Sequence, residues 1–142
     1  MSAPIVLAYD DTDESRAALP VAVDLARSLG ADLVIGFGYE PPRAGGEVGA
    51  LRDEIAKLGE EFAQLALEQV RAIDPDLAVR VELVQDRPAE ALVRLADAID
   101  ARLIVLGHRQ RPLLAEVFTG SVLEDVLADT LRPVVVVQAD EG

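Results

Sequence analysis

Short apolar runs alternate along this chain with segments whose apolar residues recur at helical spacing. Two of the runs, 104–106 and 134–137, are apolar without interruption, a pattern typical of strands that helices cover on both faces. When strands and helices alternate in this way, right-handed crossovers join the strands into a parallel sheet. The sequence therefore predicts an α/β fold, built as a three-layer sandwich.

The pattern predicts five strands and four helices in a single domain that spans residues 1–142. The strands are predicted at 5–10, 32–40, 78–86, 103–107 and 133–138. The helices are predicted at 12–29, 51–73, 88–99 and 120–130, and the Pro- and Gly-rich segment 41–49 is predicted to be a mobile loop. Apolar and charged residues alternate from 79 to 83, which indicates an edge strand.

The charge balance narrows the range of partners. Asp and Glu outnumber Lys and Arg by 26 to 13, which gives a formal net charge of −13. Such a field repels phosphate backbones and anionic lipid, so we expect neither a nucleic-acid partner nor a membrane partner. The chain has no cysteine and one histidine, so we expect no metal site. The absence of a signal-peptide pattern and of cysteine favours the cytoplasm.

The stretch from Gly107 to Ser121 is the most informative part of the sequence for function. In open parallel sheets, ligands bind beyond the carboxyl ends of the strands, where the strand order reverses. Gly107 closes the predicted fourth strand and would let a ligand approach the backbone. Gly120 and Ser121 open the predicted last helix, whose N–H groups and positive dipole end suit an anion. Asp10, at the end of the first strand, would face the same site.

Together with Asp10, the segments 86–90, 120–122 and 132–137 resemble the universal stress protein family in order and spacing. The resemblance covers essentially the whole chain. It implies a Rossmann-like fold of the adenine nucleotide alpha hydrolase type, with a sheet in the order 3-2-1-4-5. It also implies homodimers that pair their fifth strands, here through Val134, Val135, Val136 and Val137, and a family divided into members that bind ATP and members that do not.

The family's ATP-binding signature is altered in this chain. Gly107, Gly120 and Ser121 match it, but Gln110 replaces its second glycine, and Asp11 and Asp86 replace glycines that the family commonly has. The candidate nucleotide-binding residues implied by the resemblance are Asp10, Asp11, Thr12, Gly38, Gly107, His108, Arg109, Gln110, Gly120, Ser121 and Val122. ATP with Mg²⁺ and no nucleotide at all both remain open.

Several of these residues have a purely structural interpretation. Ser121 with Glu124, and Asp11 with Glu14, have the spacing of helix capping boxes. His108 is interpreted as a solvated loop residue, and Arg109 would either reach a phosphate or only offset nearby carboxylates. The fifth strand, at the sheet edge implied by the family order, needs its open side covered or paired, which favours a dimer.

Three other classes of protein fit less well. A phosphoacceptor receiver domain needs a lysine after its fifth strand, and the single lysine here, Lys57, lies in the second predicted helix. A flavodoxin-like domain would need aromatic residues to stack on its flavin, and aromatics make up 4% of the chain. No catalytic motif is present, so we expect no enzyme, with a weak ATPase left open. Two functions remain: an adenine-nucleotide switch of weakened affinity in the stress response, or a nucleotide-free dimer that binds another protein.

Overall fold

The computed structural model describes residues 3–39, 48–109 and 122–139, with side chains throughout except at 48–52. Within these residues strands and helices alternate strictly. In chain order they are β1 Ile5–Ala8, α1 Asp13–Leu29, β2 Leu33–Tyr39, α2 Val48–Ile73, β3 Val79–Gln85, α3 Pro88–Ala98, β4 Leu103–Arg109, α4 Val122–Asp129 and β5 Val134–Ala139.

The five strands form one parallel sheet in the order β3-β2-β1-β4-β5. This order and the α/β class confirm the predicted fold. β1 lies at the centre and pairs with β2 and β4. β3 lies at one edge, as its alternating pattern predicts, and β5 lies at the other.

Helices cover the sheet on both faces, and an aliphatic core lies under each layer. On one side, α1 and α2 pack on residues of β1 such as Ile5 and Leu7. On the other, α3 and α4 pack on Val6 and on Ile104 of β4. Successive residues of β1 therefore enter opposite cores, as the two-residue period of a strand requires. The side chains of Ile5, Val6 and Leu7 are all fully buried, so β1 is anchored in both cores.

The start of α1 differs from its predicted capping box. Thr12 is the N-cap, its hydroxyl accepts from the Ser15 N–H at 3.2 Å, and the Ser15 side chain accepts from the Thr12 N–H at 3.0 Å. The predicted pairing of Asp11 with Glu14 is therefore wrong by one residue. Asp11 instead adopts a left-handed backbone with φ of 60°, one residue before the cap, which is a conformation that favours glycine.

Two strand ends also differ from prediction, and both differences shape the sheet edge. β1 stops at Ala8 instead of residue 10, and β4 continues to Arg109 instead of stopping at 107. His108 is therefore a strand residue, paired with Gln138 of β5, and the prediction of a loop there is wrong. α2 begins at Val48, so residues 48 and 49 of the predicted 41–49 loop are helical instead, and residues 41–47 lie outside the described residues.

Candidate functional site

The central strand is shorter than its two neighbours at the carboxyl edge of the sheet. β1 makes its last pairings through Leu7 with Val105 of β4 and through Ala8 with Gly36 of β2. Beyond these points β2 runs on to Tyr39 and β4 to Arg109 with no strand between them. This opening, which we call the notch, holds a cleft of about 520 Å³. Small-molecule sites in proteins commonly have about 300–1,000 Å³.

Backbone polar groups of both flanking strands face the notch. The Tyr9 N–H donates to the Gly36 carbonyl at 3.1 Å, so the peptide groups of Gly36 point toward β1. Because successive residues of a strand alternate in this respect, Gly38 presents its N–H and C=O to the same side, past the end of β1. On the other flank the Ile104 N–H donates to the carbonyl of Pro133, just before β5, so the peptide groups of Ile104 point away from β1. By the same alternation the peptide groups of Gly107, three residues further on, point toward β1. Among the described residues, strand backbone therefore faces the notch from both sides.

The side chains around the cleft divide it into an apolar half and a polar half. The apolar residues come mainly from β2, α3, β4 and α4: Ala8, Gly36, Phe37, Gly38, Pro88, Leu92, Leu106, Val122 and Leu123. The polar residues come mainly from the β1–α1 turn and the end of β4: Tyr9, Asp10, Thr12, Glu14, Ser15, His108, Arg109 and Glu124. Such a division suits a ligand with one flat apolar part and one hydrophilic part.

Asp10 is held at the mouth of the polar half. Its Oδ1 accepts from the Thr12 hydroxyl at 2.6 Å and from the Thr12 N–H at 3.2 Å. Both bonds fix the carboxylate against the N-cap of α1. Among the described residues its other oxygen, Oδ2, has no hydrogen-bond partner, so it is available to accept from a ligand hydroxyl.

Arg109 crosses from the end of β4 to the first turn of α1. Its Nη2 donates to Asp13 Oδ2 at 3.2 Å, and its Nε lies 3.8 Å from Glu14 Oε2. The second distance is too long for a hydrogen bond, and the Nε is buried without any acceptor among the described residues. Arg109 therefore offsets nearby carboxylates, which is one of its two predicted roles, while its Nε–H has no acceptor among the described residues.

Gly107 lines the cleft and also packs closely against a helix. A Cβ at this position would lie 2.1 Å from the carbonyl oxygen of Glu14 and 3.1 Å from the Ser15 nitrogen, both backbone atoms of the first turn of α1. Close packing of α1 on β4 therefore requires glycine here, and the approach of a ligand at this position stays a prediction. Gly38 has a similar constraint, since its Cβ would lie 2.7 Å from the Ala91 Cβ and 3.0 Å from the Pro88 Cα.

Asp11 does not line the cleft, although it was predicted beside a nucleoside. Its Oδ1 accepts from Arg16 at 2.9 Å and lies 3.0 Å from the Tyr9 hydroxyl. The Arg16 guanidinium also donates to the Asp11 carbonyl and pairs with Asp13. These contacts hold the left-handed backbone of Asp11 in place and turn its carboxylate toward the α1 and α2 side.

Asp86, the other acidic residue at a position where the family commonly has glycine, does not line the cleft either. It follows β3 and accepts from Arg94 at 2.8 Å and from the Arg87 N–H at 2.8 Å. These bonds, that from Arg94 first, hold the pKa of its carboxyl below the ordinary value. Asp86 therefore ties the end of β3 to α3 and adds no charge to the cleft lining.

The remaining predicted site residues fall into two groups. Thr12, Gly38, His108 and Val122 line the cleft together with Asp10 and Arg109. Gln110, Gly120 and Ser121 lie outside the described residues, and so does the predicted capping box of Ser121. Glu14, Ser15, Leu92 and Leu123 also line the cleft, although the sequence did not single them out. Their signal was their place in the first two turns of helices, because helices that follow parallel strands all begin at the carboxyl edge of the sheet.

Tyr9 connects the end of β1 to both α1 and α2. Its hydroxyl lies 2.9 Å from Gln69 Oε1 as well as 3.0 Å from Asp11 Oδ1, and its side chain is buried. Burial, then the hydrogen bond to Asp11, raises the pKa of Tyr9 to about 12. The neutral phenol is therefore the form that the fold stabilises.

This shift predicts a pH dependence. The folded pKa lies above the unfolded value, so the contribution of Tyr9 to stability is complete below about pH 10 and is lost as the pH rises from about 10 to about 12. In a Tyr39→Phe protein Tyr9 is the only tyrosine. At about pH 10.5 its tyrosinate absorbance should be only a few per cent of the maximum, whereas the same protein in urea should be about three-quarters ionised. Ionisation near pH 10 in a protein that circular dichroism shows to be folded would contradict the expectation.

The described residues contain no group of three or more His, Cys, Asp or Glu side chains that could hold a metal ion. In the same part of the chain, no helix is both long enough and apolar enough to cross a membrane.

A parallel sheet in the order β3-β2-β1-β4-β5, with a cleft where the order reverses, is the arrangement of Rossmann-like α/β proteins. Residues 1–138 match the family model described as the universal stress protein family, and the chain belongs to that family. It is 34% identical over 135 residues to a universal stress protein of Thermus aquaticus, encoded in the QAH/OAS sulfhydrylase 3'region, covering 94% of this chain and 97% of that protein.

Solved structures of the family have the same fold. A universal stress protein from Archaeoglobus fulgidus, 28% identical, superposes with a TM-score of 0.77 over 96% of this chain and 98% of its own. The structure of the Archaeoglobus fulgidus universal stress protein in complex with dAMP is 25% identical, with a TM-score of 0.73 over 95% of this chain and 97% of its own. The family resemblance that the sequence carries is thereby confirmed.

Proposed function

We propose that this chain is an adenine-nucleotide-binding member of the universal stress protein family that acts in the stress response as a switch, with weakened affinity for ATP. One observation carries the proposal: β1 stops short and leaves the notch, with an apolar half, a polar half and strand backbone on both flanks. The likeness to a family member solved with dAMP supports the same class of ligand.

The two halves of the cleft suggest how a nucleoside would lie. The base would occupy the apolar half, where Leu92 and Pro88 flank the strand and the Gly38 N–H and C=O offer a donor and an acceptor to the base edge. The sugar would then reach the polar half, where the free oxygen of Asp10 accepts from a ribose hydroxyl. Phosphates would continue toward Gly107 and the start of α4.

The residues fit a nucleoside well and Mg²⁺-ATP less well. Glu14 and Glu124 line the cleft on its phosphate side together with Asp10, and they oppose the negative charge of a triphosphate. Since the described residues offer no ligand set for a metal, we propose that Mg²⁺ enters only with the phosphates. Mg²⁺ would there screen part of the phosphate charge.

We propose binding without turnover. Ser15 is a buried hydroxyl at the cleft, and its oxygen is engaged with Thr12 in the capping box rather than with a base that could activate it. A bound nucleotide would then act through occupancy, by changing the surface that the carboxyl edge of the sheet presents to a partner protein.

The proposal is tested by isothermal titration of the purified protein with adenosine, AMP, ADP and ATP, with and without Mg²⁺. We expect at least one of them to bind with a Kd below about 1 mM. Asp10→Asn keeps an oxygen for Thr12 but removes the charged acceptor for a ribose hydroxyl, and it should weaken adenosine binding about tenfold. Asp24→Asn, an equal charge change at an exposed position of α1 outside the cleft, should leave the Kd unchanged. No binding by any of the four ligands would favour the nucleotide-free interaction protein instead.

We also propose that the protein is a homodimer formed through β5. Among the described residues β5 is an edge strand, paired with β4 on one side only. An unpaired strand edge is normally covered or paired in a stable protein.

A further inference from the structure

We infer that the cleft selects for low phosphate charge, so that it binds an adenine nucleoside or nucleoside monophosphate more tightly than the triphosphate. This inference rests on the proposed function and concerns the same cleft.

The fixed charges around the cleft are mostly negative. Among the described residues that line it, Asp10, Glu14 and Glu124 carry carboxylates, whereas Arg109 is the one Lys or Arg. The charge carried by the described cleft residues therefore has the same sign as the net charge of −13 for the chain.

The charge of Arg109 is already shared. Asp13 accepts from its Nη2 at 3.2 Å, and Glu14 lies 3.8 Å from its Nε. These carboxylates compensate the guanidinium, so it brings little positive potential to a polyphosphate. Its buried Nε lacks an acceptor among the described residues, so the guanidinium is held mainly by these two carboxylates.

Each further phosphate then adds repulsion without gaining a cation among the described cleft residues. This electrostatic repulsion between the phosphates and the cleft carboxylates weakens as the salt concentration rises, because screening shortens its range. It also weakens when Mg²⁺ neutralises part of the triphosphate charge. The same arrangement predicts how selectivity would be lost: removing the carboxylate of Asp13 frees the guanidinium for the ligand. Asp13 itself is largely exposed and is absent from the cleft lining, so its neutral form acts on the cleft through Arg109 and the local field, while it also loses its ion pair with Arg16.

The test is the same four-ligand titration, carried out without Mg²⁺ at about 50 mM and about 300 mM salt. AMP should bind about tenfold more tightly than ATP at low salt, and this ratio should shrink at high salt. Asp13→Asn should raise ATP affinity severalfold, with little change for adenosine. The matched control is Asp24→Asn, about 16 Å further along α1. This variant should leave the ratio of the AMP affinity to the ATP affinity unchanged. A melting curve establishes that each variant is folded.

Three outcomes separate this inference from the proposed function. If ATP without Mg²⁺ binds as tightly as AMP at low salt, the cleft is nucleotide-binding and the charge selectivity is overturned. If Asp24→Asn changes the ratio as much as Asp13→Asn does, the net field acts rather than Arg109, and the assignment to Arg109 is overturned. If none of the four ligands binds, the proposed function fails and the inference fails with it.

Discussion

Replacing Gly107 by alanine is expected to lower the free energy of unfolding by about 3 kcal/mol, because the added methyl group has no space. Its Cβ would lie 2.1 Å from the Glu14 carbonyl oxygen and 2.5 Å from the Glu14 carbonyl carbon. These are backbone atoms of a helix, so no side-chain rotation relieves the contact. The first turn of α1 must move away from β4, and this movement would also separate Arg109 from Asp13.

Urea denaturation followed by circular dichroism measures this effect. Gly59→Ala is the matched control, because its new methyl group would lie 3.3 Å from the Leu83 Cδ2, the end of a flexible side chain. Gly59 is inside α2, where alanine is favoured over glycine by about 1 kcal/mol, so this variant should be as stable as the original or more so. A Gly107→Ala protein with unchanged stability would show that α1 does not pack on β4 as closely as described.

The second large effect is the expected loss of the proposed homodimer when β5 is given a charge. Sedimentation of the original protein should give about twice the 15.1 kDa mass of the chain. A Val136→Glu protein should sediment as a monomer, because a charge on an edge strand opposes pairing with an identical strand.

The choice of valine decides whether this experiment can be interpreted. Val135 and Val137 pack against the core under α1 and α2, and Val134 packs against the core on the opposite face, so charging them would damage the fold itself. Val136 is partly buried and is the one of the four that packs on neither core cluster of the described residues. Leu127→Glu adds the same charge to the exposed face of α4 and should leave a β5 dimer intact. A dimeric Val136→Glu protein would place the interface elsewhere.

The order and type of the elements could be predicted from the sequence because each apolar run has the length and period of its element. The uninterrupted valines of β5 are enough to predict a strand there. The alternating apolar and charged residues of β3 are likewise enough to predict a strand. The strand order came from the family resemblance rather than from periodicity, since periodicity carries no information on which strands are neighbours.

The ends of two strands could not be predicted, and they make the site. His108 and Arg109 are polar and follow a glycine, which is typical of a loop, but β5 supplies Gln138 and Ala139 as pairing partners and the strand continues. Asp11 was read as a helix cap because aspartate commonly caps helices. Its left-handed backbone depends on contacts with Arg16 and Tyr9 that only the folded chain brings together.

The shortness of β1 has a consequence for how such a site can change over evolutionary time. The part of the notch that would hold a flat ring is made of strand ends and backbone groups, which point substitutions at the surface leave in place. The part that would set the charge of the ligand consists of side chains of the polar half, chiefly Asp10, Glu14 and Arg109, with Asp13 beside them. If the proposed function holds, single substitutions there would change the choice of ligand while the sheet and its core stay the same.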